Sequence, residues 1–300
     1  MILCCGEALI DMLPRETRAG EAAFAPHAGG AVFNTAIALG RLGARVQFFS
    51  GLSTDLFGQQ LTAELAASQV DAAPCHVSDR PTTLAFVQLT GGQARYAFYD
   101  ENTAGRMLTE ADLPQVTADA LFFGGISLVV EPCGDAYRAL AERAARDRLV
   151  MIDPNIRPGF IKDEAAYRAR LDAMLACADV VKISDEDLDW LTGDTDPAAL
   201  LEGGTRVVLM TRGAKGVTVC TEGGRFDVAA QPVTVVDTVG AGDTFNAGFL
   251  AGLDRAGLLS KAGIGRADDA ALRAAADLGT RAAAVTVSRA GANPPWNREL

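Results

Sequence analysis

Short apolar runs recur along the whole chain, separated by stretches in which apolar residues return every three or four positions, and this alternation constrains the fold most. A run of four or five apolar residues suits a strand buried on both faces, whereas the longer periodic stretches suit helices that hide one side. Together they describe a mostly parallel sheet covered by helices on both faces, an α/β fold class. Strands are predicted at Met1–Cys5, Val46–Ser50, Leu121–Phe123, Leu149–Asp153, Val180–Ile183, Val207–Thr211 and Val217–Thr221. Helices are predicted at Asn34–Leu42, Gly58–Ser68, Asp135–Asp147, Glu164–Cys177, Thr244–Asp254 and Ala270–Val285, with Gly43 stopping the first.

Two stretches break the alternation, around residues 11–30 and 75–105. In the second, Thr82–Leu89 and Ala94–Tyr99 read as a hairpin around Gly91-Gly92. The two stretches are expected to form a small antiparallel sheet, placed as a lid over the parallel core and offering its outer face as a homodimer surface. With 300 residues, 49% of them hydrophobic, and no low-complexity tract, the chain is read as one domain over 1–300 carrying this small β lid.

Charge narrows the class of partner. A formal net charge of -11 argues against nucleic acid and anionic membranes, whose binding draws on clustered Lys and Arg, and favours a small molecule. Cys4, Cys5, Cys75, Cys133, Cys177 and Cys220 form neither a CxxC pair nor the dense spacing of a disulfide scaffold, so they are read as reduced thiols. Neither a basic leader nor an 18-residue apolar stretch is present, and a cytoplasmic location is the expectation.

The chemistry concentrates in Asp237-Thr238-Val239-Gly240-Ala241-Gly242-Asp243-Thr244, between a strand read at Pro232–Val236 and the helix from Thr244. Gly240, Ala241 and Gly242 let backbone N–H groups approach a phosphate, and a helix N-terminus adds unsatisfied donors and the positive end of its dipole. Asp243 there can simply cap the helix. Capping explains neither the flanking glycines nor a second acid, Asp237, six residues earlier. Phosphoryl transfer explains both: donors stabilise charge on the moving phosphoryl group, Asp243 deprotonates the attacking hydroxyl, and Asp237 lies nearer a bound cation. An acidic protein holding ATP also needs a counter-charge, so Mg2+ is expected.

This loop resembles the D-T-x-G-A-G-D signature of the ribokinase-like (pfkB) family of carbohydrate kinases, and the match is complete. A second signature of the family, Gly-Gly followed by an Asn that opens a helix, is matched by Gly29-Gly30-Ala31-Val32-Phe33-Asn34, continuing to Gly51-Leu52-Ser53-Thr54-Asp55-Leu56-Phe57-Gly58. The resemblance covers essentially the whole chain. It implies a three-layer α/β/α fold with a β lid and an ATP-dependent sugar kinase with Asp243 as general base. By the same resemblance Asp11, Gly29, Gly30 and Asn34 hold the sugar. Thr211, Gly213 and Gly216 lie against the nucleotide. Lys182-Ile183-Ser184-Asp185-Glu186-Asp187 resembles the family's K-x-N-x-x-E segment, which organises Mg2+ and phosphates, with Ser184 in place of Asn and Asp187 in place of Glu. The metal-organising acid is thus Asp187 or Glu186, with Asp237 nearby. Val287-Ser288-Arg289-Ala290-Gly291-Ala292 resembles a segment that, in some members, builds a monovalent-cation site with residues around Asp237, making K+ a further expectation.

Substrate identity must come from the pocket. Ala31 stands where pentose and phosphosugar kinases carry Lys. Asp153-Pro154-Asn155-Ile156-Arg157-Pro158 and the stretch from Tyr96 to Arg106 resemble fructokinases and 2-keto-3-deoxygluconate kinases alike. Fructose is the preferred substrate. Arg157 and Arg106 as partners of a sugar carboxylate keep the keto-acid as the alternative, and a non-catalytic sugar or nucleotide sensor is the alternative of another class. A Rossmann dehydrogenase is discounted, because no G-x-G-x-x-G follows the first strand.

Overall fold

A computed structural model describes residues 1–90 and 93–300. Among them are fourteen strands: β1 (Ile2–Cys5), β2 (Leu9–Glu16), β3 (Ala22–Gly29), β4 (Val46–Phe49), β5 (Gly51–Ser53), β6 (His76–Ser78), β7 (Thr83–Thr90), β8 (Gln93–Tyr99), β9 (Ala120–Gly124), β10 (Leu149–Asp153), β11 (Val180–Ser184), β12 (Val207–Thr211), β13 (Val217–Thr221) and β14 (Gly224–Val228). The α-helices are α1 (Ala31–Arg41), α2 (Leu56–Ala67), α3 (Cys133–Ala144), α4 (Glu164–Leu175), α5 (Asp185–Thr192), α6 (Ala241–Arg255), α7 (Lys261–Ile264) and α8 (Asp269–Val287).

Eight strands form the central sheet in the order β14-β13-β12-β11-β10-β9-β1-β4. From β12 to β4 the pairings are parallel, and β13 and β14 add an antiparallel edge. The pleat splits its apolar residues between two cores. Ile2, Cys4, Phe122, Leu149, Met151 and Leu209 pack with α1, α6 and α8 on one face, while Leu3, Cys5, Phe123, Val150, Ile152 and Val208 pack with α3 and α4 on the other. Burial of each large side chain contributes about 1.5–3 kcal/mol, which is why apolar runs without alternation become the central strands.

The second sheet, β3-β2-β7-β8, stands over the C-terminal ends of the parallel strands. Its strands span Leu9–Gly29 and Thr83–Tyr99, the second span shorter than the expected 75–105 stretch, and it is mixed and not wholly antiparallel: β2 and β7 run parallel, the outer pairs antiparallel. Strand β6 lies within the expected 75–105 stretch but pairs with β5 and not with this sheet. The two hairpin strands pair as expected, and the Gly91-Gly92 turn between them lies outside the described residues.

Three sequence-based boundaries move for physical reasons. Pro232–Val236 is not a strand; it carries no ladder, and Val236 donates instead to the Val287 carbonyl at 2.7 Å. Helix α6 starts at Ala241 rather than Thr244, because Gly240 adopts the left-handed conformation (φ 77°) and turns the chain into the helix there. Helix α1 begins at Ala31, not Asn34, because Gly30 takes φ 108° and the Glu7 carboxylate accepts from the Ala31 amide at 2.8 Å. Asn34 therefore sits one turn inside the helix. Gly43 does follow the end of α1, at φ 82°. Among the described residues, no helix is long and apolar enough to cross a membrane.

Candidate active site

In an open parallel sheet, ligands bind beyond the carboxyl ends of the strands, where loops diverge and helices begin. A cleft of about 300 Å³ opens there, within the size range of small-ligand sites. Its floor is the turn Thr238–Asp243, one wall is Gly30, Ala31 and Asn34, and the second sheet contributes Leu9, Asp11, Tyr96 and Phe98. Asn155, Arg157 and Lys182 close the remaining side from the ends of β10 and β11.

Asp243 occupies the first turn of α6 but does not cap it; that N-terminus has no side-chain cap. Its carboxylate reaches α1, where Asn34 Nδ2 donates to Oδ2 at 2.9 Å, and the Thr35 hydroxyl lies 3.2 Å from the Asp243 carbonyl. No protein donor among the described residues reaches Oδ1, which leaves it available to a hydroxyl on a cleft ligand. Burial, with Asp153 adding to it, pushes the Asp243 carboxyl up to about 7, opposed by the Asn34 hydrogen bond, Lys182 and Arg157. A buried carboxylate that titrates near neutrality, with one oxygen held and one open, suits a general base.

The glycines around it are dictated by close approach. A Cβ on Gly240 would lie 2.7 Å from the Ala292 Cβ, and one on Gly242 would lie 3.0 Å from Lys182 Nζ. Apart from Ala241, which donates to the Thr238 carbonyl at 3.3 Å, the uncapped first turn of α6 keeps N–H groups free at the cleft with an ammonium immediately beside them, an arrangement suited to an anion. Lys182 itself is buried, and its Nζ is paired with Asp153 Oδ2 at 2.9 Å, which also accepts from Asn246 Nδ2 at 2.7 Å.

On the opposite side, Asp11 projects from β2 against Gly29, where any Cβ would collide with its carboxylate. Burial raises its carboxyl to about 6. Beside it Glu7, also buried, caps α1 through Ala31 and accepts from the Ser127 amide at 3.3 Å. Burial raises its carboxyl too, and these amide donors oppose the shift.

The structure thus brings Asp11, Gly30, Asn34, Arg157, Gly240, Ala241, Gly242 and Asp243 into one cleft with Gly29 directly behind it. Ser184 and Thr211 are register partners on β11 and β12, further along the same sheet edge, with the turn Gly213–Gly216 next to them. They form a neighbouring ledge rather than part of the cleft lining. Ser184 caps α5 through the Asp187 amide at 3.0 Å. Asp187 is half-buried, its carboxyl raised by burial and by Asp153 against the pull of Lys182, whereas Glu186 is exposed. Asp237 has both oxygens engaged, by the Val239 amide at 3.0 Å and the Gly291 amide at 2.9 Å, so it ties the loop to the segment after α8. Arg106 does not reach the cleft. It pairs with Asp100 at 2.9 Å and donates to the Glu131 carbonyl at 3.1 Å, beside a smaller cavity behind Glu7.

Sequence reasoning missed Glu7 and Asn246, and it quoted Asp153, Asn155 and Lys182 only within longer segments without giving them a role of their own. Lys182 carried a readable signal, a charge inside the apolar run Val180–Ile183. Asn155, part of the Asp153–Pro158 segment read from sequence, takes a left-handed backbone (φ 45°) directly at the cleft, and Asn246 is a polar side chain fully buried in α6 with no local sequence signature.

Comparison with known proteins places the chain in a family. The family model described as pfkB family carbohydrate kinase matches residues 1–299. A fructokinase from Rhizobium leguminosarum bv. trifolii is 56% identical over 279 residues, covering 91% of this chain and 86% of that protein. Fructokinase from Xylella fastidiosa with bound ATP superposes with a TM-score of 0.88 at 30% identity, covering 97% of this chain and 93% of that one. Fructokinase from Vibrio cholerae O395, in a form with fructose, ADP and calcium ion bound, superposes with a TM-score of 0.83 at 26% identity over 97% and 94% of the two chains. The chain belongs to the pfkB family of carbohydrate kinases, and it is a phosphotransferase that acts on a sugar hydroxyl.

Proposed function

We propose that this carbohydrate kinase phosphorylates fructose with ATP, Asp243 acting as the general base. The observation that carries the base assignment is the held-and-open carboxylate of Asp243 at the uncapped start of α6. Support for fructose comes from the 56% identity to a fructokinase and from the mixed character of the cleft, where Asp11 and Asn34 face Tyr96 and Phe98. Asp11 and Asn34 hold sugar hydroxyls, Tyr96 and Phe98 cover the apolar face of the ring, and the sheet bearing them acts as a lid that excludes competing water. The hydroxyl to be phosphorylated, O6 by family resemblance, loses its proton to Asp243 Oδ1. The N–H groups of Gly240 and Gly242 and the Lys182 ammonium receive the charge of the transferred phosphoryl group, while the Ala241 N–H is spent on the Thr238 carbonyl at 3.3 Å.

The nucleotide lies along the ledge of Ser184, Thr211, Gly213 and Gly216. Among the described residues there is no group of three or more acids, His or Cys able to cage a metal. That suits Mg2+, which in phosphoryl transfer keeps most of its waters and takes only one or two carboxylates besides the phosphates. Asp187 is the residue placed to hold it, with Glu186 exposed to solvent, and when bound the ion neutralises charge on the phosphates. Asp237 and the segment from Val287 to Ala292 lie together, which supports K+ binding there.

Substrate-panel kinetics test the reading. ADP release should give fructose a kcat/KM at least roughly tenfold above glucose, ribose and 2-keto-3-deoxygluconate, a margin that one or two hydrogen bonds can supply. Arg157 in the cleft is the feature favouring the keto-acid, and a preference for that acid would overturn the assignment.

The outer face of the lid exposes Phe24 (49%) and Tyr99 (63%), packed edge-to-face with Phe86 at 5.0 and 5.4 Å. Such a patch fits a homodimer interface formed by two lids. Sedimentation equilibrium should give a dimer, and Phe24→Lys should shift it to monomer; a monomeric wild type would refute the interface.

A further inference from the structure

We propose that Glu7 is a positioning residue for the proton transfer, holding the start of α1 so that Asn34 meets Asp243; this rests on Asp243 being the base. The first turn of α1 has no cap of its own, because Gly30 supplies no side chain. Glu7, arriving from the end of β1 some twenty residues earlier in sequence, fills that role. Its Oε1 accepts from the Ala31 amide at 2.8 Å and its Oε2 from the Ser127 amide at 3.3 Å. A carboxylate at a helix N-terminus is electrostatically favoured, and here it is shielded from solvent, so the interaction is not weakened by water.

The backbone is shaped around this carboxylate. A Cβ on Gly30 would lie 2.8 Å from the Glu7 carbonyl, and one on Gly125 would collide with the Glu7 carboxylate; both glycines take positive φ, 108° and 71°. Neither position would tolerate a side chain without expelling Glu7. What the cap fixes is the one helical turn that carries the contacts of the base: Ala31 is held by Glu7, and Asn34 and Thr35, three and four residues on, touch the Asp243 carboxylate and carbonyl. In an α-helix these positions move as a unit. Glu7 thus reaches the base through a single turn of helix.

The test reads the base, not the fold. Asp243 is faced by Asn34 from α1, Asp153 from β10, Lys182 from β11 and Arg157 from the loop after β10. None of these is altered in Glu7→Gln, in which the amide nitrogen must face one of the two backbone N–H groups and so releases that contact. Because the Asn34 hydrogen bond favours the ionised base, loosening it moves the acid limb of kcat/KM against pH upward. The expected shift is roughly half a pH unit or more in Glu7→Gln. Asn34→Ala should show a shift at least as large, and Glu7→Gln/Asn34→Ala should move no further than Asn34→Ala alone.

An unmoved limb in both Glu7→Gln and Ala31→Pro, or shifts that add in the double variant, would overturn the inference and leave Glu7 a structural cap. If Glu7→Gln does not fold, Ala31→Pro supplies the same test. Proline is tolerated at the first helical position, Gly30 already has the extended ψ of 138° that precedes proline, and the change deletes the N–H that Glu7 holds. Its limb should move upward too, and an unmoved limb counts against the proposal. A wild type with no acid limb near neutrality would instead refute the base assignment itself.

Discussion

Asp243→Asn will lose at least roughly 100-fold in turnover while binding fructose with little change, because the amide keeps an acceptor for Asn34 but cannot take a proton. Steady-state ADP release with fructose varied separates the two parameters, and a variant retaining more than about a tenth of wild-type kcat would refute the general-base role. Wild-type activity should itself fall as pH drops through about 7, where Asp243 becomes protonated. The same shift predicts a gain in stability. In the unfolded chain the carboxyl ionises near its ordinary value of 3.8, and in the fold near 7, so ionisation costs the folded state progressively as pH rises across that window. Above about pH 7 the cost is fully present, and below about pH 4 it is absent. Asp243→Asn carries no such cost and should be more stable than wild type at pH 8 by on the order of 1–3 kcal/mol, with the gap closing towards pH 4. Urea unfolding at the two pH values measures it. Activity and stability are opposed at this one side chain, as expected where a charge is buried for function.

Asp153→Ala should destabilise the fold by about 3–5 kcal/mol. Asp153 and Lys182 are a buried pair at 2.9 Å, with side chains 2% and 6% exposed, and removing the acid strands an ammonium in the core together with the Asn246 amide it satisfies. Asp153→Leu/Lys182→Met, which removes both charges, should recover most of that loss, since a well-packed apolar pair is often no worse than a buried ion pair. Equal losses in the single and double variants would show that packing, rather than the stranded charge, sets the cost. Because Asp153 also raises the Asp243 carboxyl, any folded Asp153→Ala protein should show its acid limb displaced to lower pH, opposite to the shift expected for Glu7→Gln.

The central sheet was legible because strands buried on both faces are almost wholly apolar, and β10, β11 and β12 are each bounded by turn or polar residues. The Gly240–Asp243 turn was legible for a related reason: a glycine-rich start of a helix shows itself as small residues at adjacent positions, and adjacency is what a sequence displays. Boundaries were less so. Asn34 reads as a helix cap because Asn commonly is one. Its place a turn inside α1 depends on Glu7, more than twenty residues away, taking the capping role. Pro232–Val236 has the β-branched composition of a strand, yet among the described residues no neighbouring strand is in position to pair with it.

By itself, then, the sequence determined the layered α/β architecture and the glycine turn with the acid at its end, since each follows from local periodicity or adjacent residue types. Only the tertiary structure decided what surrounds that acid. Asn34 is 209 positions from Asp243, and Asp153 and Lys182 are 29 apart on neighbouring strands. Burial, which raises the Asp243 carboxyl to about 7, is a property of the packed cleft and of no single segment.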